Sequence, residues 1–121
     1  MHKSTALLLA SLAIVCSGCY ESRPEIRQAS VTYWQGGKPK AAQELSPSQV
    51  KQLNLWLASH RWGWHPVLAS YLPATQISIV FTDDMKESAN VMSSIVILGR
   101  SQRNISAEEH DELMGIIHGE N

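Results

Sequence analysis

The segment His60-Arg61-Trp62-Gly63-Trp64-His65-Pro66 brings two indoles, two imidazoles and a guanidinium together around one glycine. Imidazoles invite a metal, but a His–His spacing of five across a glycine matches no recognised ligand pattern, and no third ligand lies nearby in the chain. No metal or cofactor is therefore expected. Indoles and a guanidinium suit recognition better, because Trp and Arg contribute disproportionately to interface energies. Arg61, Trp62, Trp64 and His65 are accordingly candidate partner-binding residues. The plainer alternative is that one indole closes the core under a helix end while the other lies half-exposed. Position along the chain separates the two rings. Trp62 directly precedes the glycine and is expected to pack back on the last helical turn. Trp64 lies beyond it, in a proline-stiffened loop, and is expected at the surface, where little ordering cost opposes binding.

Other clusters have simpler readings. Glu108, Glu109, His110, Asp111 and Glu112 are dense in ligand types, yet on a helix the carboxylates spread round the polar side while His110 turns to the apolar stripe. Asp83, Asp84 and Glu87 lack the spacing and the glycine of an EF-hand loop, and read as a hairpin connection. Asn104-Ile105-Ser106 has the form of a glycosylation sequon, but Ser106 is better used as a helix cap. No Ser-His-Asp order, phosphate-binding loop, G-x-S-x-G or H-E-x-x-H occurs. The residues indicate no catalysis, and the chain is read as a non-enzyme.

The cysteines point elsewhere. The chain's only two are Cys16 and Cys19, in Cys16-Ser17-Gly18-Cys19. A redox or metal C-x-x-C would need a following helix or a second ligand pair, and neither is present. What precedes it is more telling. His2 and Lys3 lead into the apolar run 6–15, which falls short of the ~20 residues that span a bilayer and suits a secretory signal. Charge, apolar run, Ser17-Gly18 and Cys19 together resemble the lipobox of bacterial lipoproteins, with Cys16 standing where that family usually carries Leu or a similar aliphatic. The resemblance covers residues 1–19. It implies a thioether-linked diacylglycerol on Cys19, cleavage after Gly18 and acylation of the new amino group. Tyr20 is not the Asp that resembles an inner-membrane retention signal in enteric bacteria, so the implied destination is the outer membrane, facing the periplasm. An exported domain left without a thiol also avoids mispairing in an oxidising compartment.

These readings divide the chain into a signal peptide (1–18), a lipidated polar tether (19–24) and a single α+β domain (25–121). Cleavage leaves 103 of the 121 residues, enough for one domain and not two. Loss of Lys3 leaves nine basic and eleven acidic side chains, a balance that gives no reason to expect nucleic acid as a partner. Within the domain, Ala29, Val31 and Tyr33 alternate with polar neighbours as in a half-buried strand, and Gly36-Gly37 supplies a tight turn. Residues 38–43 return as a short edge strand, weakened by Pro39. Ser46-Pro47-Ser48-Gln49 is a capping box, followed by the stripe Val50, Leu53, Trp56, Leu57, His60; Leu55 is the one large apolar residue off that stripe. Ile77, Ile79 and Phe81 mark another strand. Residues 90–98 mark a further one, apolar on both faces near its end and therefore central and doubly covered. Ser106-Ala107-Glu108-Glu109 opens a second helix with the stripe His110, Leu113, Met114, Ile117. The expected fold is α+β: a small antiparallel sheet of three to four strands with two helices on one face, in the order β(β)αββα.

The function implied is that of a membrane-anchored envelope lipoprotein, held to the bilayer through Cys19, whose mature domain binds another envelope protein. An immunity or inhibitor protein is a narrower form of the same reading. Anchoring raises local concentration, so modest intrinsic affinity suffices. The competing class is a small-ligand-binding protein or enzyme using segment 60–66, which would require a buried pocket with convergent polar groups.

Overall fold

The computed structural model describes residues 20–119; the signal segment 1–18 and Cys19 lie outside the described residues. The elements run β1 (Ile26–Gln35), β2 (Lys38–Pro39), β3 (Gln43–Glu44), α1 (Pro47–Ser59), β4 (Trp64–Pro66), β5 (Thr75–Phe81), β6 (Lys86–Val91), β7 (Ile95–Leu98), β8 (Ser101–Asn104) and α2 (Ala107–His118). Alternation along the longer strands creates one face to bury. Ala29 and Val31 of β1, Ile77 and Ile79 of β5, and Ala89 and Val91 of β6 all point to the same core. Leu53 and Trp56 of α1 and Leu113 of α2 meet that face from the helix layer.

The sheet has eight strands in the order β2-β1-β5-β6-β7-β8-β4, with β3 also paired to β1, and every pairing is antiparallel. It is therefore larger than the three to four strands expected. The run 90–98 is not one doubly covered strand but a hairpin, in which the Met92 amide donates to the Ile95 carbonyl at 2.9 Å. Val96 and Leu98 face the core, while Ile95 and Ile97 are half-buried on the opposite face. Five strands carry only two to four residues each, too few for alternation to register: β2, β3, β4, β7 and β8. Strand β8, Ser-Gln-Arg-Asn, has no apolar residue at all. Gly36 and Gly37 turn β1 into β2 with φ of 59° and 77°, values that side chains other than glycine's seldom tolerate. Asp83 and Asp84 lie in the β5–β6 turn, where Asp83 accepts the Met85 amide at 3.0 Å and Asp84 pairs with Arg27 at 2.9 Å.

Both capping boxes form, and each does a second job. The Gln49 side chain accepts the Ser46 amide at 2.8 Å while its own amide group donates to the Ile116 and Ile117 carbonyls at 3.1 and 3.0 Å. Glu109 accepts the Ser106 amide with one oxygen at 2.9 Å and meets His60 with the other at 3.0 Å. The start of each helix is thus tied to the end of the other.

The expected tether is docked. Glu21 donates its amide to the Arg61 carbonyl at 2.8 Å, and the Glu25 carbonyl accepts the Thr82 amide at 2.9 Å. Arg23 pairs with Glu87 at 2.6 Å and reaches the Leu98 carbonyl at 3.3 Å. Asn54 of α1 clamps both the amide and the carbonyl of Ile26. The polar groups of this short tether find partners at the sheet end and at the exit of α1.

Candidate functional site

Helix α1 exits into the segment 60–66, and the exit is built on its core side. The His60 ring stacks on Trp56 with centroids 3.9 Å apart and planes at 15°. Its Nδ1 lies 2.6 Å from the Trp56 carbonyl oxygen and its Nε2 3.0 Å from Glu109. The same Glu109 oxygen accepts from Arg103 at 3.0 Å. The Ser106 amide is the largest influence holding the Glu109 carboxyl below the usual carboxylate range; Arg103 and then His60 add to it, against burial, which pushes upward.

Gly63 then reverses the chain at φ 90°, where any side chain would be strained. The reversal feeds β4, and pairing with β8 forces its residues to alternate. Trp64 consequently turns inward. It is 2% exposed, and its indole N–H donates to the His60 carbonyl at 2.7 Å, capping the helix end. The expected surface position of Trp64 is therefore corrected: a strand, not a loop, receives it. Trp62 is the outward ring, 54% exposed, with its carbonyl fixed by Arg103 Nε at 2.8 Å. Its ring packs against that of Tyr20, with ring centroids 5.0 Å apart. Arg61 donates to the Tyr20 hydroxyl at 2.9 Å, and His65 is exposed on β4. The structure thus gathers Arg61 and Trp62 around Tyr20, and separates Trp64 from them. Tyr20 escaped the sequence reading because it sits in a polar stretch with no period.

A second surface was also missed. Strand β4 lies at one sheet edge and β5 well inside it, so residues 67–74 must cross back between them. Asn90, which points away from the core between Ala89 and Val91, accepts the Ala74 amide at 2.9 Å and donates to the Leu72 carbonyl at 3.2 Å. The connection therefore runs over the open face of the sheet. It leaves Leu68 and Leu72 89% and 87% exposed, with Tyr71 half-exposed beside them. No residue from 67 to 74 is charged, and that was the available sequence signal.

A cleft runs between the segment before β1 and α1, lined by Arg23, Arg27, Lys51, Asn54 and Arg61 among others. Of segment 60–66 only Arg61 and Trp64 contribute to it, and Arg23 is already paired with Glu87. Among the described residues no three His, Cys, Asp or Glu side chains converge as metal ligands. Among the same residues, no helix is long and apolar enough to cross a membrane. Comparison of the chain with protein families, with characterised proteins and with solved structures finds no significant match.

Proposed function

We propose that the chain is a lipid-anchored envelope protein whose mature domain binds another envelope protein, with the connection 67–74 as its contact surface. The observation that carries the proposal is the exposure of Leu68 and Leu72, with Tyr71 beside them, on a connection without a charge. Interface centres are depleted of charged residues and enriched in aromatic ones. A connection braced by Asn90 at two backbone positions presents these side chains with part of its ordering already complete. The lipid on Cys19 supplies localisation, and the loop supplies selectivity. An immunity or inhibitor role is the narrower form, in which the partner is a toxin or hydrolase.

Site-specific photocross-linking in intact cells tests this reading. A photoreactive residue at Leu72 should give one discrete adduct with an envelope protein; the same residue at Lys51, on α1, should not. The double variant Leu68→Ser/Leu72→Ser, carrying the photoreactive residue at Tyr71, should lose the adduct while melting at an unchanged temperature. Equal labelling from Leu72 and Lys51, or an adduct that survives the double substitution, would refute the surface.

A further inference from the structure

Tyr20 directly follows the residue that carries the lipid in the reading above, and it is not loose. Its hydroxyl is held by Arg61, its ring by Trp62, and the next amide by the Arg61 carbonyl at 2.8 Å. Glu21 is in turn fixed by the Ser101 hydroxyl at 3.0 Å. We propose that Tyr20, Arg61 and Trp62 form a bilayer contact that seats the domain directly on the headgroup layer, with the exit of α1 toward the lipid.

The inference rests on acylation of Cys19; given that, distance decides it. Consecutive Cα atoms are about 3.8 Å apart, so the acylated residue lies one peptide unit from Tyr20. The headgroup layer on each side of the hydrocarbon core is about 5–8 Å deep. Side chains clamped to Tyr20 at 2.9 Å and 5.0 Å therefore share that layer with it. No run of free residues stands between lipid and domain to let the domain drift away. The chemistry suits the location. Trp and Tyr concentrate at the membrane–water boundary, ring toward the acyl chains and polar group toward water. Tyr20 and Trp62 are 45% and 54% exposed and so have ring surface left to bury. Arg61 uses one guanidinium nitrogen on Tyr20 and retains donors for a lipid phosphate. Leu68 and Leu72, by contrast, hang on a connection over the open face of the sheet and are assigned to the protein partner.

Fluorescence quenching in vesicles tests the contact. The full-length chain is expressed, extracted from envelopes with its anchor and reconstituted in phosphatidylethanolamine/phosphatidylglycerol vesicles containing headgroup-labelled nitroxide lipid. Intact mass and flotation establish the anchor. Trp56 and Trp64 are 2% exposed, and Trp34 is hydrogen-bonded to Gln76 on the open face, so shallow quenching reports chiefly Trp62. Wild type should be quenched, and Trp62→Phe, which keeps a ring against Tyr20 and should melt as wild type, should lose most of that quenching. The Leu68→Ser/Leu72→Ser variant should be quenched as wild type is. Three results in an acylated, floating chain overturn the contact and leave the anchor reading intact: equal quenching in wild type and Trp62→Phe, no quenching in either, or quenching lost in the Leu68→Ser/Leu72→Ser variant. A chain without an acyl group that fails to float removes the anchor reading itself, and this proposal with it.

Discussion

Trp62 and Trp64 carry the same ring two residues apart, yet one is 54% exposed beside Tyr20 and the other is 2% exposed under α1. The inner side of the exit is dense with mutual constraints: Trp64 caps His60, His60 meets Glu109, and Glu109 holds Arg103. On the outer side the Tyr20 side chain has one hydrogen bond, from Arg61, and one ring contact, with Trp62; the other bonds there go to the Arg61 and Trp62 carbonyls, and much of both rings is open to solvent. Residue type therefore does not decide the role here. What decides is the left-handed turn at Gly63 and the pairing of β4 with β8, which together fix the direction each ring takes. The inner ring serves stability, and the outer ring is free to serve recognition.

The largest effect should come from the inner side. Trp64→Ala removes a buried indole together with its hydrogen bond to the helix end, and should cost about 3–5 kcal/mol in urea denaturation. A cost under about 1 kcal/mol would mean that the site collapses freely and that the inner side is no tighter than the outer.

Glu109 gives a smaller and pH-dependent effect. Glu109→Gln preserves a capping side chain but withdraws the charge shared by Arg103 and His60, and at neutral pH should cost about 1 kcal/mol, since both pairs are partly exposed. Its carboxyl is held below the ordinary glutamate value of about 4.3. A lowered folded-state pKa contributes stability that is fully present above the unfolded value and is lost as pH falls through the folded one. The difference between wild type and Glu109→Gln should accordingly be flat above about pH 5 and shrink toward zero below about pH 4. A gap that persists unchanged in acid would remove Glu109 from the account of the exit.

Much of this frame was legible in the sequence. Ser46 with Gln49 and Ser106 with Glu109 announce both helix starts, and the alternation of Ile77, Ile79 and Phe81 marks a strand with its inward face. The exposure of Leu55 follows from its place off the stripe. What escaped depends on partners distant in sequence. Strand β8 is polar and exists because β7 and β4 flank it. Nothing local tells Gln49 to reach Ile116, or Tyr20 to lie on Arg61, because the separations involved are 67 and 41 residues. Trp64 failed for the same reason: its inward direction is set by Arg103 across a strand pair that periodicity could not reveal.

The smallest expected change in stability is the sharpest test of the comparison. Trp62→Ala removes a ring that is more than half exposed and packs against Tyr20, while the Trp62 carbonyl, which Arg103 uses, survives the substitution. An exposed tilted aromatic pair contributes about 0.5–1.5 kcal/mol at most, and an isolated surface substitution usually changes stability by no more than about 0.5 kcal/mol. Urea denaturation should therefore place Trp62→Ala within about 0.5 kcal/mol of wild type, far from Trp64→Ala, while hydrogen exchange at the Glu21 amide should quicken because Tyr20 loses its cover. Exchange at the His60 amide, which donates to the Leu57 carbonyl at the helix end, should not change. If Trp62→Ala instead destabilises as much as Trp64→Ala, the two rings belong to one packed unit, and the outer ring is not available to a bilayer or to any other partner.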